Sequence, residues 1–187
     1  MSLTAWAADE EKSFKANRAV TYAAKSSQGK VTVAVVPYHR EEDVRVAFGK
    51  ANLLEFGILP VLVVIDNDSD QALRLNLKAQ YVEGRSRVAA TPAEDVPYLN
   101  APSRPRPLDQ PARYPIPLPK KKNKLAAWEI DGRAFRAKMV PPGESVSGFF
   151  YFRTPYDARG SIYLTGLSEA ASGKELFYFD LPFETEK

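Results

Sequence analysis

The stretch "PVLVVIDNDSDQALRLNLKAQYV", residues 60–82, decides how this chain folds, because it joins two unlike patterns across a short polar connector. Residues 60–65 are apolar throughout, as expected of a strand covered on both faces. Residues 73–81 alternate instead. Leu73, Leu75, Leu77, Ala79 and Tyr81 point one way, while Arg74, Asn76, Lys78 and Gln80 point the other. A period of two with one polar face marks an antiparallel sheet packed on one side. The five residues from Asp66 to Asp70 make these strands either partners in a hairpin or the two sides of a corner between sheets.

The connector also invites a calcium reading, since Asp66, Asp68 and Asp70 match the first, third and fifth ligands of a helix-loop-helix site. The match stops there. Gln71 stands where that loop needs Gly, Leu77 stands where it needs a bidentate Glu, and both flanks read as strand. Acidic and amide side chains favour turns for a separate reason, their hydrogen bonds to nearby backbone. A plain turn is the expectation, and no metal site or cofactor is assigned. Asn67-Asp68-Ser69 also matches a glycosylation acceptor.

Outward from this pair, "KVTVAVVPY" reads as a strand ended by Pro37, and before it residues 9–27 read either as a short helix in their first half, with acids in its first turn, or as an edge strand at "AVTYAA". "HREEDVRVAFGKANLLEFG", residues 39–57, reads as a long connection whose apolar residues tuck against the core. "NKLAAWEIDGRAF" holds a short helix or a strand. "PPGESVSGFFYF", "RGSIYLTGL" and "GKELFYFDLPF" give further short, aromatic-rich strands with turn residues between them. Phe149 and Tyr151 lie on the face opposite Phe150 and Phe152, so both faces of that strand need cover, and the proline-rich excursion is the expected lid. Likewise Phe177 and Phe179 are expected to share one face opposite Tyr178. The expected fold is an all-β sandwich of seven or eight strands, one domain over residues 1–187.

Charge is segregated. Eight of the fifteen prolines lie between Pro97 and Pro119. Residues 97–124 hold seven basic side chains against one acid, a net +6, so with +3 for the whole chain the remainder sums to −3. Such a proline run favours polyproline II and cannot enter a sheet interior. Arg104, Arg106, Arg113, Tyr114, Lys120, Lys121, Lys122 and Lys124 are therefore the candidate contacts for a protein or an anionic envelope surface. The charge is too short and local to point to nucleic acid.

Catalytic machinery is sparse. Cysteine is absent, which excludes disulfides, thiolate metal sites and thiol nucleophiles. His39 is the only histidine, so a hydrolase would have to pass through it, with Glu41, Glu42 or Asp43 orienting the ring. No nucleophile elbow, P-loop or dinucleotide fingerprint accompanies it. No stretch approaches the roughly 18 apolar residues of a membrane span, and Ala5-Trp6-Ala7-Ala8-Asp9 reads like the start of a chain after signal cleavage.

"FGILPVLVVIDNDSDQALRL", "PPGESVSGFFYF" and "GSIYLTGL" with "GKELFYFDLPF" together resemble a loose group of uncharacterised bacterial exported or lipoprotein-like domains with an immunoglobulin-like sandwich. There a Pro-Val strand ends in Asn and Ser, and a P-G-x-x-x-x-G-F turn and strand precede two final strands. The resemblance runs from about Val31 to Phe183 and implies fold and export, with no active residue. The expected function is a non-catalytic, extracytoplasmic recognition or structural module.

Overall fold

A computed structural model describes residues 14–49, 51–99 and 127–183. Among them, in chain order, are β1 (Lys25–Gln28), β2 (Val31–Pro37), α1 (Glu41–Phe48), β3 (Leu59–Asn67), β4 (Leu73–Glu83), β5 (Ser86–Ala89), α2 (Ala127–Arg133), β6 (Met139–Val140), β7 (Ser145–Phe152), β8 (Ser161–Glu169), β9 (Glu175–Leu176) and β10 (Phe179–Pro182). Two antiparallel sheets result. The first runs β1-β2-β3-β7, and the second runs β10-β8-β4-β5 with β6 beside β4 and β9 beside β8. Residues 68–72, after Asp66 and Asn67 have ended β3, are the corner between the sheets, not a hairpin, since β3 and β4 belong to different ones. The strands beyond the expected seven or eight are short pieces, β6 and β9 having two residues each.

The alternation of β4 explains one core. Leu73, Leu75, Ala79 and Tyr81 pack with Ile162, Leu164 and Phe179 against Val33, Val35, Val61, Val63 and Ile65 of the facing sheet. The apolar run of β3 explains the other. Every residue of that strand is buried, because its second face meets Val44, Ala47 and Phe48 of α1, Leu53, Val96, and Ile130 of α2. Aromatic contacts tie this layer together, with Phe149 centred 4.7 Å from Phe48 and 5.0 Å from Tyr38.

The cover over Phe149 and Tyr151 therefore comes from helices and turns. The 3-10 turn Val96–Tyr98 before the excursion and α2 after it contribute to this cover, while residues 100–126, most of the expected lid, lie outside the described ones. The connection at 39–57 is corrected too, since its first half is a helix. Three acids open it where the helix dipole favours negative charge, Val44, Ala47 and Phe48 recur at helical spacing, and Gly49 ends it at φ 60°, donating its N–H to Arg45 O at 2.9 Å. At the N-terminus the edge strand is Lys25–Gln28, and Ala19–Thr21 forms a 3-10 turn.

The final strand is also corrected, because it is broken in two. Phe179 is buried and Phe177 is 84% exposed, so the two do not share an environment. The break faces Gly166, whose φ of 91° bends β8, and on its other side β4 carries one extra residue between Leu75 and Lys78. A Cβ on Gly166 would lie 2.0 Å from Asn76 O, so only glycine permits this approach.

Candidate binding groove

The aspartate-rich corner is an architectural knot. Asp66 and Asn67 are fully buried. Asp66 accepts from Arg18 Nε at 3.2 Å and from the Ser145 hydroxyl, and Arg18 Nη2 reaches Asp68 Oδ1 at 2.6 Å. The guanidinium thus sits between the two carboxylates that a cation would need, and they, Asp68 foremost, hold its pKa above the usual value. Asn67 Nδ2 donates to Gln71 O, Val140 O and Pro141 O at 2.8, 3.1 and 3.1 Å, and its Oδ1 accepts from the Ser69 N–H and hydroxyl. That amide is committed and enclosed, so the acceptor motif is not an available glycosylation site. Among the described residues no group of three acidic or histidine side chains is placed to hold a metal.

His39 lines a recess of about 460 Å3 at one end of the molecule, between the turn at Leu54–Leu59 and residues 153–156. Its ring stacks on Tyr156 at 4.0 Å, and Nδ1 lies 3.3 Å from Pro37 O. None of Glu41, Glu42 and Asp43 lines that recess, since all three belong to the first turn of α1. The imidazole lies nearly parallel to the Tyr156 ring, packed as a flat surface. Arg104, Arg106, Arg113, Tyr114, Lys120, Lys121, Lys122 and Lys124 lie outside the described residues.

A second and larger concavity among the described residues was not foreseen. The two seams of the sandwich differ. On one side β1 approaches β10, and Gln28 Nε2 donates to Tyr178 O at 2.6 Å. On the other, β7 and β4 are held apart by two runs that change sheets. In the first, the Ala90 N–H donates to Ala79 O at 3.1 Å, and the next residue, Thr91, donates to Tyr151 O at 2.7 Å. In the second, the Phe135 N–H donates to Phe149 O at 3.0 Å, and Lys138 O accepts from the Leu75 N–H at 2.8 Å. Gly148 allows the second run to come so close, because a Cβ there would lie 2.4 Å from Phe135 Cα.

The four walls enclose a groove of about 640 Å3. Leu77, Ala90, Phe135 and Phe150 line it and are only partly buried, although all four pack on the core between the sheets. The Phe135 and Phe150 rings stack at 5.5 Å to form one apolar wall. Charged side chains stand at the lining, namely Lys78, Arg136, Lys138 and Glu94. Arg136 is paired with Asp131. Sequence reasoning missed the groove because its walls come from four separated segments whose only shared mark is small or aromatic apolar residues.

No family model matches the chain, and no curated protein matches it in sequence. Among solved structures it is similar to a "putative lipoprotein (ycdA)" of Bacillus subtilis, at 12% identity and a TM-score of 0.39, over 85% of this chain and 39% of that one. It is also similar to the "putative ApaA protein" of Bordetella pertussis, at 13% identity and a TM-score of 0.35, over 83% of this chain and 95% of that one. The chain spans about two fifths of the length of the first. Among the described residues no helix is long and apolar enough to cross a membrane.

Proposed function

We propose that the protein is a non-catalytic recognition module, an immunoglobulin-like sandwich working outside the cytoplasm, whose open seam receives an apolar group. The strand order supports the immunoglobulin-like assignment. β2, β3 and β7 stand as strands A, B and E of such a sandwich, and β4, β8 and β10 as C, F and G, with β5 beside β4 as C′. The observation that carries the binding reading is the groove itself, where inter-sheet core residues are reachable from outside. Its volume of about 640 Å3 falls within the ~300–1,000 Å3 typical of small-ligand sites, which are mostly apolar with a few polar groups.

The neutral dye N-phenyl-1-naphthylamine, whose fluorescence rises in apolar surroundings, tests this directly. Saturable enhancement is expected, and it should be lost in Ala90→Phe, which places a ring in the groove. Enhancement that persists unchanged in a variant with native circular dichroism would sink the reading. The extracytoplasmic placement rests on the resemblance to exported domains, and cell fractionation of the native protein checks it, with cytosolic recovery as the adverse result.

A further inference from the structure

We propose that the seam groove binds a long-chain carboxylate, a free fatty acid whose chain lies between the sheets and whose head group meets Lys78 and Lys138. The inference rests on the reading of the groove as a binding site and names its ligand class.

Shape comes first. The mouth along β4 spans only Leu77 to Gln80, roughly 10 Å at ~3.3 Å per residue. That is too short for an added strand of the usual ~5–6 residues, so the groove suits a narrow chain better than a peptide joining the sheet. Phe135 and Phe150 form one side, while Leu77, Ala79 and Ala90 form another and leave width because two of them are alanine.

Charge selects the head group. Lys78 and Lys138 are exposed at the lining and have no ion pair among the described residues. Arg136 is already neutralised by Asp131, and Glu94 is the one acid of the lining. An apolar cleft with two uncommitted ammonium groups at its edge complements one anionic head on a hydrocarbon tail. A neutral hydrocarbon would leave both lysines unused.

The test uses the full chain and cis-parinaric acid, a fluorescent fatty acid. Saturable binding is expected, displaced by straight-chain carboxylates with an affinity that rises about fourfold per buried methylene until the groove is filled. The double variant Lys78→Glu/Lys138→Glu changes only exposed positions. It should weaken parinaric acid roughly tenfold or more and leave N-phenyl-1-naphthylamine unchanged, while Ala90→Phe should abolish both. If the neutral dye binds but parinaric acid ignores the charge reversal or the chain length, the carboxylate assignment falls and the recognition reading stands. If neither binds, both fall. Dimeric sedimentation that Ala90→Phe disperses, without fatty-acid binding, assigns the groove to a second copy of the chain and overturns the proposal.

Discussion

Asn67 illustrates how one side chain fixes a fold. Its amide holds three carbonyl oxygens that belong to two separate segments, residue 71 on its own corner and residues 140 and 141 beyond α2. Asn67→Ala removes all three bonds, although Gln71 O still accepts from the Ser69 hydroxyl and Pro141 O from the Glu144 N–H, and with the buried bond to Val140 O lost it is expected to cost about 2 kcal/mol. Asn67→Asp should cost more, because it turns a carboxylate toward the same carbonyls, and urea denaturation of the two variants checks the ranking. A second prediction concerns three phenols. Burial raises Tyr38 from 10.0 to about 12, raises Tyr81 and raises Tyr151. Each favours the neutral phenol in the folded state, so its contribution is fully present below the unfolded pKa of roughly 10. It is lost as pH rises through the folded values. Stability should therefore be flat near neutrality and fall between about pH 10 and pH 12, read by circular dichroism on titration with base. Tyr151→Phe should make that fall shallower, while costing about 1 kcal/mol at neutral pH through the lost bond to Ile130 O.

At the scale of elements, legibility followed periodicity. β2, β3 and β4 were readable because β-branched residues, an unbroken apolar run and strict alternation mark strands, whereas the choice between hairpin and corner was not, since a five-residue connector permits both and only the sheet order decides it. α1 was not. Its eight residues give barely two turns, and Val46, 77% exposed, puts an apolar residue on the solvent face and blurs the helical stripe. The break between β9 and β10 was hidden for another reason. It follows from the bend at Gly166 in a neighbouring strand, which no local pattern in residues 175–182 records. The groove depends on a similar non-local fact, the close passage of Phe135 over Gly148. Gly148→Ala must push that run away from β7, so it is expected to destabilise the protein by about 1–3 kcal/mol, as overpacking does. It should also shift dye affinity at the seam, whereas Gly143→Ala, with open space around it, should leave that affinity alone. Equal dye affinity in both variants would show that the 134–138 wall does not depend on the contact.

The whole molecule is two cores sharing one sheet. β3 pairs with β2 on one side and β7 on the other, and it presents Val61, Val63 and Ile65 to the sandwich and Leu62 and Val64 to the helical layer. Loss of either core exposes one face of the same strand, so the layers should melt together. Phe48→Ala tests this at a distance from the sandwich. The ring is fully buried against Phe149 and Tyr151, and its removal is expected to cost about 3–5 kcal/mol. That lowers Tm by on the order of 10 °C for a chain of this size. In a Trp6→Phe background, fluorescence from Trp128 on α2 follows the helical layer, while far-ultraviolet circular dichroism is dominated by the sheets. Coincident transitions in both Phe48→Ala and its parent are the expected result. A fluorescence transition that precedes the loss of sheet would show that the helical layer is a separable cover and that β3 survives without its second core.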